Sequence, residues 1–398
     1  MKALFLMSQI PFPPDAGAKI RTFNLIKRLS IHHDIDLIAF GDQKIELSKI
    51  KAMKEFCKEV ILIPKNRFNR IRLFSNLFSF YPYTIKKYYS NKMKKTVQTM
   101  TGQSRFDLIH CDSLQMSLNV VSLSGVPKIL TEHNIESRIL QRYAQTEKNP
   151  FKKIYIYLQW KKLAHYEFTV CKEFDHCITV SEQDKQYLAR FMPAEKISVV
   201  PNGVDTEYFK SQEHKVTRSQ EEDAMVFTGS MDWLPNEDAL CYFFSEIYPL
   251  IKRDVRQVSM SVVGRSPSKR ILTYAENDST IRIVGRVEDV RPFVAQADIF
   301  VVPLRIGGGT RLKILEAMAM AKPVVSTTIG AEGLDVEAEK NIVLADTPED
   351  FAQRVINLFS DDKLKDRVAA EGRKLVEEKY DWDMIAEGLD RIWKTQDR

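Results

Sequence analysis

With 398 residues the chain is too long for one ordinary hydrophobic core and about right for two domains. An apolar fraction of 44%, with only 15 glycines and 16 prolines, excludes a disordered chain. Five cysteines without a CxxC spacing argue for reduced thiols and against a zinc cluster or a disulfide framework, and the net charge of +6 is modest but unevenly spread.

The opening MKALFLMSQIPFPPDAG has too short an apolar stretch for a signal-peptide core and reads as a first buried strand. No run of about 18 apolar residues follows, so no membrane-spanning helix is predicted, and a cytoplasmic location is expected. The runs KALFLMS (2–8), DIDLIAF (34–40), EVILIP (59–64), DLIHCD (107–112), PKILTEH (127–133), HCITVS (176–181) and ISVVPNG (197–203) are nearly continuous in apolar character. That pattern suits parallel strands covered on both faces. Helical periodicity separates them, as in IRTFNLIKRLS (20–30), so the first half is expected to be a doubly wound α/β domain.

Charge is concentrated in this half. Lys44–Arg105 holds 15 Lys/Arg against three acids, and 66–95 holds eight basic residues and eight aromatics with no acid. Basic residues interleaved with aromatics suit a solvated helical face over core aromatics, an anionic membrane surface or single-stranded nucleic acid. Arg67, Arg70, Arg72, Lys86 and Lys87 are the candidates for a membrane or acceptor side.

The stretch 204–223 is polar and aperiodic and reads as a linker. A second strand series then begins: AMVFTGS (224–230), VSMSVVG (258–264), IRIVGR (281–286), IFVVPL (299–304), KPVVSTT (322–328) and NIVLAD (341–346). The expected architecture is α/β, with two doubly wound Rossmann-like domains facing across a cleft: 1–205, 206–379, and a final amphipathic helix, 380–398, crossing back to the first domain. Ligands of such domains bind in loops that follow strands.

One such loop stands out. In PLRIGGGTRLKILEAMAMAKPVV (303–325), three glycines follow a strand and precede a helix. Glycines let backbone approach a ligand, free N–H groups at a helix start attract anions, and Arg305, Arg311 and Lys313 surround that end. A phosphate cradle and a tight turn with solvated arginines both fit this spacing, although GxxxxGK[ST] and GxGxxG are absent. Glu316, one turn on, has the chemistry to accept hydrogen bonds from two ribose hydroxyls.

PLRIGGGTRLKILEAMAMAKPVVSTTIGAEGL resembles the donor-binding signature of family-4-type retaining glycosyltransferases, which have the two-Rossmann-domain GT-B fold. FTGSMDWLPNEDAL (227–240), SVVPNGVD (198–205) and GRVEDVRPFVAQADIFVVPL (285–304) extend the likeness, which is weaker in the first half. The resemblance implies that Glu316 holds the nucleotide's ribose and that the Gly307, Gly308, Gly309 and Thr310 backbone meets the diphosphate and sugar. It also implies that His133 lies near the transferred sugar and that Gly17, in PPDAGAKIR, borders phosphate and acceptor. Two departures follow. The family's paired glutamate is replaced by Gly308, leaving the sugar's identity open. Ser230 and Asn236 occupy the region where relatives carry an Arg and a Lys, so Arg305, Arg311 and Lys313 are the candidates to supply that charge.

The implied activity is transfer of a sugar from a nucleotide-diphosphate sugar (UDP- or GDP-linked) to a saccharide or lipid-linked acceptor in surface polysaccharide or glycolipid assembly. Catalysis is expected with retention and without metal or cofactor, and with possible peripheral contact at the inner face of the cell membrane. The alternatives are a GT-B nucleotide-sugar epimerase and a non-enzymatic nucleotide- or nucleic-acid-binding protein; nucleic acid is not the expected partner.

Overall fold

The computed structural model describes residues 1–65, 76, 79–147, 149–210, 223–307 and 309–396. The chain forms two compact units, Met1–Pro201 with Asp383–Arg398, and Asn202–Trp382.

The first unit is built on β1 (Lys2–Met7), β2 (Asp34–Phe40), β3 (Glu59–Ile63), β4 (Leu108–Cys111), β5 (Lys128–Glu132), β6 (His176–Thr179) and β7 (Ile197–Val199). They form one parallel sheet in the order β3-β2-β1-β4-β5-β6-β7. Period-two burial splits β1 between the two faces. Leu4 and Leu6 join Ile38, Ile109 and Leu130 in one core, whereas Phe5 stacks on His110 at 4.5 Å and meets Trp393 on the other face. Four helices of this unit bear on function: α1 (Gly17–Leu29), α2 (Tyr83–Lys87), α3 (Glu136–Thr146) and α4 (Pro150–Cys171).

The second unit repeats the plan with β8 (Asp223–Thr228), β9 (Val258–Val263), β10 (Ile281–Gly285), β11 (Ile299–Val302), β12 (Val324–Ser326) and β13 (Val343–Leu344). Its sheet is again parallel, in the order β10-β9-β8-β11-β12-β13. Helices α5 (Leu234–Tyr242) and α6 (Leu312–Ala319) follow β8 and β11. In both sheets the strand order reverses once, between β1 and β4 and between β8 and β11. Those two reversals are the positions where doubly wound sheets open a crevice at their carboxyl ends.

The boundary falls a few residues before the expected one, because 202–209 is tied to the second unit. Val204 N–H donates to the Tyr380 carbonyl, Trp382 N–H donates to that of Val204, and Thr206 Oγ1 reaches Asp381 Oδ2 at 2.5 Å. The last helix, α7 (Trp382–Gln396), packs its stripe Ile385, Leu389 and Trp393 inward. From Asp383 onward it belongs to the first unit. There Trp393 donates its indole N–H to His110 Nδ1 at 3.2 Å, His33 meets Asp390 at 2.7 Å, and Arg28 pairs with Asp383.

All five cysteines are free and buried. Among the described residues no helix is long and apolar enough to cross a membrane.

Candidate active site

In the second unit, the loops that follow β8, β9 and β11 converge. Gly229 leaves β8 with a φ of +149°, and a Cβ there would lie 2.7 Å from Lys313 Nζ and 2.9 Å from Asn236 Nδ2. The site therefore needs glycine on two counts, backbone conformation and space. Gly264, at the end of β9, packs so tightly that a Cβ would collide with the Gly229 carbonyl.

Lys313 comes from the first turn of α6 and reaches across to this loop. Its ammonium lies 3.8 Å from the centroid of the Phe227 ring and donates to Asn236 Oδ1 at 3.1 Å. Asn236 is oriented in turn by donating to the Ser230 carbonyl at 2.8 Å. The charge missing from 229–251 in the sequence is thus delivered to that loop from another element.

Helix α6 starts at Leu312 with no capping side chain and no acid in its first turn; Ile314 N–H turns back to the Arg311 carbonyl at 3.0 Å, and the N–H groups before it are left for an anion. Arg311 sits at the cap position, and its guanidinium fills the space that a Cβ on Gly307 (φ +137°) would need. The Thr310 hydroxyl is buried in the same turn without a hydrogen-bond partner. Gly309 has a φ of +78°, and Gly308 lies outside the described residues.

Glu316 is one turn further along α6, half-buried between Leu315 and Ala317. Burial pushes its carboxyl up to about 7, against the opposing pull of Lys313. The same burial brings the Lys313 ammonium down to about 7, with Arg311 adding to the shift and Glu316 resisting it. A carboxyl and an ammonium thus share one desolvated patch, each poised to change charge near neutral pH.

Arg305 does not join this group. Its guanidinium makes a two-point contact with Asp238, at 2.8 and 3.1 Å, and lies over the Tyr242 ring at 4.3 Å. Its charge is already matched within the unit. Arg265, after β9, was not singled out in the sequence, yet its Nε donates to Ser230 Oγ at 2.8 Å. A basic residue just past a strand of this sheet was the signal that would have found it.

In the first unit, the β1 and β4 loops meet. Gly17 is exposed and opens α1, whose start also lacks a capping side chain and a first-turn acid. Thr22 of α1 donates to Asp112 Oδ2 at 2.6 Å, immediately past β4. His133, past β5, meets the Asp112 carbonyl at 2.7 Å through Nε2. A carbonyl only accepts, so Nε2 carries the proton and a neutral His133 keeps Nδ1 as its acceptor. Burial raises the Asp112 carboxyl, but His133, His110 and Thr22 outweigh it and hold the group below the usual carboxylate range.

Asp112 and the buried Arg21, whose Nη1 donates to the Pro201 carbonyl at 2.6 Å, were not singled out from the sequence. Their signal was position alone, at a strand's carboxyl end and on the helix after β1. Buried His110 is bonded to Thr131 and Trp393, and burial lowers it to about 4, so it stays neutral as a core residue. Lys86 and Lys87 are exposed on α2, whereas Arg67, Arg70 and Arg72 lie outside the described residues.

Comparison with known proteins now bears on both units. Residues 16–208 match the family Glycosyltransferase Family 4, and residues 222–361 match Glycosyl transferases group 1. This chain belongs to the family-4-type, group 1 glycosyltransferases. It is an enzyme, a glycosyltransferase. An uncharacterized 44.6 kDa protein in the cps region of Klebsiella pneumoniae is 23% identical, over 96% of each chain. A phosphatidyl-myo-inositol mannosyltransferase of Mycobacterium leprae is 24% identical over 55% of this glycosyltransferase, which spans only 58% of that protein's length. Among solved structures, Anabaena Alr3699/HepE in complex with UDP and glucose aligns with a TM-score of 0.73 and 16% identity, covering 99% of this chain and 100% of that one. At that identity the likeness establishes the GT-B fold.

Proposed function

We propose that this glycosyltransferase is metal-independent and retaining, and moves a sugar from a UDP- or GDP-sugar to a saccharide or lipid-linked acceptor in surface polysaccharide or glycolipid assembly. The observation that carries the reading is the placement on α6 of Glu316 one turn from Lys313, whose ammonium reaches the Gly229 loop. A carboxylate one turn from an ammonium, on a helix with an open start, suits the ribose and the diphosphate of one nucleotide.

Bond breaking builds positive charge at the anomeric carbon and negative charge on the departing phosphate. Lys313, Arg311 and the first N–H groups of α6 meet that negative charge, which is the task a metal ion performs elsewhere. The departing phosphate then accepts the proton of the attacking hydroxyl on the face it leaves, and configuration is retained. His133 positions sugar hydroxyls through its accepting Nδ1, with Asp112 fixing its tautomer. Gly17 and the open start of α1 serve the acceptor side. Lys86 and Lys87 fit peripheral contact with the inner face of the cell membrane.

The test is a panel of UDP-, GDP- and ADP-sugars assayed for thermal stabilisation and release of nucleoside diphosphate, with and without EDTA. One nucleotide should stabilise the protein, by about 2.7 kcal/mol at 100 times its dissociation constant. EDTA should leave release unchanged, and the product should keep the donor's anomeric configuration by NMR. Glu316→Ala should lose donor affinity at least about tenfold while keeping its circular dichroism, as expected for a lost charged hydrogen bond. Silence across the panel, or full donor affinity in the variant, would sink the reading.

A further inference from the structure

Helix α4 is apolar on two sides. One side enters the core through Ile156, Leu163 and Val170. The opposite side leaves Phe151 84% exposed, Ile154 61% exposed and Leu158 43% exposed, residues that share one face at i, i+3 and i+7. Phe80, just before α2 on a segment that also contacts α4, is 97% exposed. Scattered exposed apolar residues are ordinary, but an aligned stripe on a well-packed helix requires an occupant.

The position of this helix narrows what the occupant is. Several of its inward partners lie at or beyond the carboxyl ends of strands along the chain. Cys171 reaches Glu132 at the end of β5, Tyr166 bonds Ser117 after β4, and Gln159 accepts from the Tyr83 backbone after β3. Lys162 donates to the Asn76 and Ser79 carbonyls and so anchors the segment bearing Phe80. The carboxyl-terminal part of α4 thus stands beside the loops after β4 and β5, which also carry Asp112 and His133, and the stripe lies on its amino-terminal half.

Charge narrows it further. Helix α4 carries Lys152, Lys153, Lys161 and Lys162, of which Lys162 is tied to backbone carbonyls, and its only acid, Glu167, is buried. Glu147, just before the helix, is already paired with Lys152 at 2.6 Å. The neighbouring α2 adds Lys86 and Lys87, whereas on α3 Arg138 is matched by Asp184 at 3.8 Å and Glu136 is an acid. Lys161 also spans the Tyr157 and Trp160 rings, at 5.6 and 4.4 Å, which gives the stripe the mix of aromatic and basic groups suited to a lipid headgroup layer.

We infer that the exposed face of α4, with Phe80, docks this glycosyltransferase on an anionic lipid surface. Phe151, Ile154 and Leu158 enter the headgroup boundary while the surrounding lysines meet the lipid phosphates. The inference rests on the reading of a membrane-proximal acceptor and assigns the contact chiefly to α4, beyond the basic segment 66–95 from which that reading began.

Co-sedimentation of the full-length protein with vesicles tests it, using phosphatidylcholine alone or mixed with phosphatidylglycerol. Wild type should partition at least about tenfold more strongly onto the anionic vesicles. Phe151→Ser with Ile154→Ser should lose about tenfold or more on both vesicle types, and Lys153→Glu with Lys161→Glu should lose the preference for anionic lipid. Equal partitioning by wild type and the Phe151/Ile154 variant, or none by wild type, would overturn the proposal. So would wild-type dimers in sedimentation velocity that the same variant dissociates, since a second copy would then be the occupant. Thermal stabilisation by nucleoside diphosphates, retained in both variants, separates this result from the donor reading: wild type without that response fails the donor reading and leaves the vesicle result standing.

Discussion

Lys313 makes the donor site's chemistry depend on pH in a definite direction. Its ammonium in the free protein sits at about 7, lowered chiefly by burial. A bound diphosphate favours the charged form, so its pKa rises on binding. Above about pH 7 binding must therefore take up a proton, and affinity should fall by up to about tenfold per pH unit until the bound-state pKa is reached. Titration calorimetry with a nucleotide sugar, in two buffers of different ionisation enthalpy, should show uptake approaching one proton at about pH 8. Lys313→Met should abolish the uptake; if it persists in that variant, Lys313 is not the responsive group. In the proposed site Glu316, raised to about 7, imposes the opposite limb, because only the ionised carboxylate accepts from both ribose hydroxyls without a competing proton of its own. Affinity should decline below neutral pH, and Glu316→Gln should flatten that side.

The residue scale also marks where sequence reading stopped. Glu316 was picked out because the resemblance named it, and the structure places it half-buried on α6 near Lys313. The pairing of Lys313 with Asn236 was not legible, since those residues stand 77 apart and only the β8–β11 neighbourhood brings them together. Arg305 looked equivalent to Lys313 in sequence, but Asp238 on α5 claims it.

At the scale of elements, local pattern was a good guide to strands and a poor one to helix ends. Continuous apolar runs of four to seven residues have no competing fate in a chain punctuated by amphipathic helices, so the strands fall where those runs lie. Helix ends depend on partners supplied from afar. The start of α3 is held by Glu167 of α4, which accepts from Glu136 N–H at 2.7 Å and from Ser137 through both backbone and hydroxyl. Burial lifts the Glu167 carboxyl to about 7, Ser137 opposing. Its folded pKa is raised above the unfolded value, so its favourable contribution is fully present below about pH 4.5 and is lost as pH rises through about 7. Glu167→Ala should cost about 1–3 kcal/mol by urea denaturation, for the N–H groups left unmet. Glu167→Gln, which keeps an acceptor, should cost less and remove the pH dependence. A pH-independent difference between wild type and the Gln variant would argue against this role. The Gly229–Gly264 contact is the second element-scale constraint. Gly264→Ala should weaken donor binding along with stability, because the backbone that must yield leads directly to the Lys313 ammonium.

For the whole molecule, the decisive feature is the path of the chain's end. Residues 362–379 form a helix of the second unit, yet four residues later the chain is part of the first. Trp393 is fully buried there, donating to His110 and packed against Phe5 and His33. The first unit thus depends on residues that follow the second unit in the chain, whereas the proposed donor groups Lys313 and Glu316 lie wholly within the second. Calorimetry should separate these dependencies. Trp393→Ala removes a large core side chain and should destabilise by about 3–5 kcal/mol, lowering the transition of the first unit while donor binding by the second persists. A nucleoside diphosphate should raise the transition of the second unit and move the Trp393→Ala-sensitive transition much less, because stabilisation follows the state that binds. If the two perturbations shift one common transition equally, the units unfold as a single cooperative body, and the independence implied by their separate cores fails.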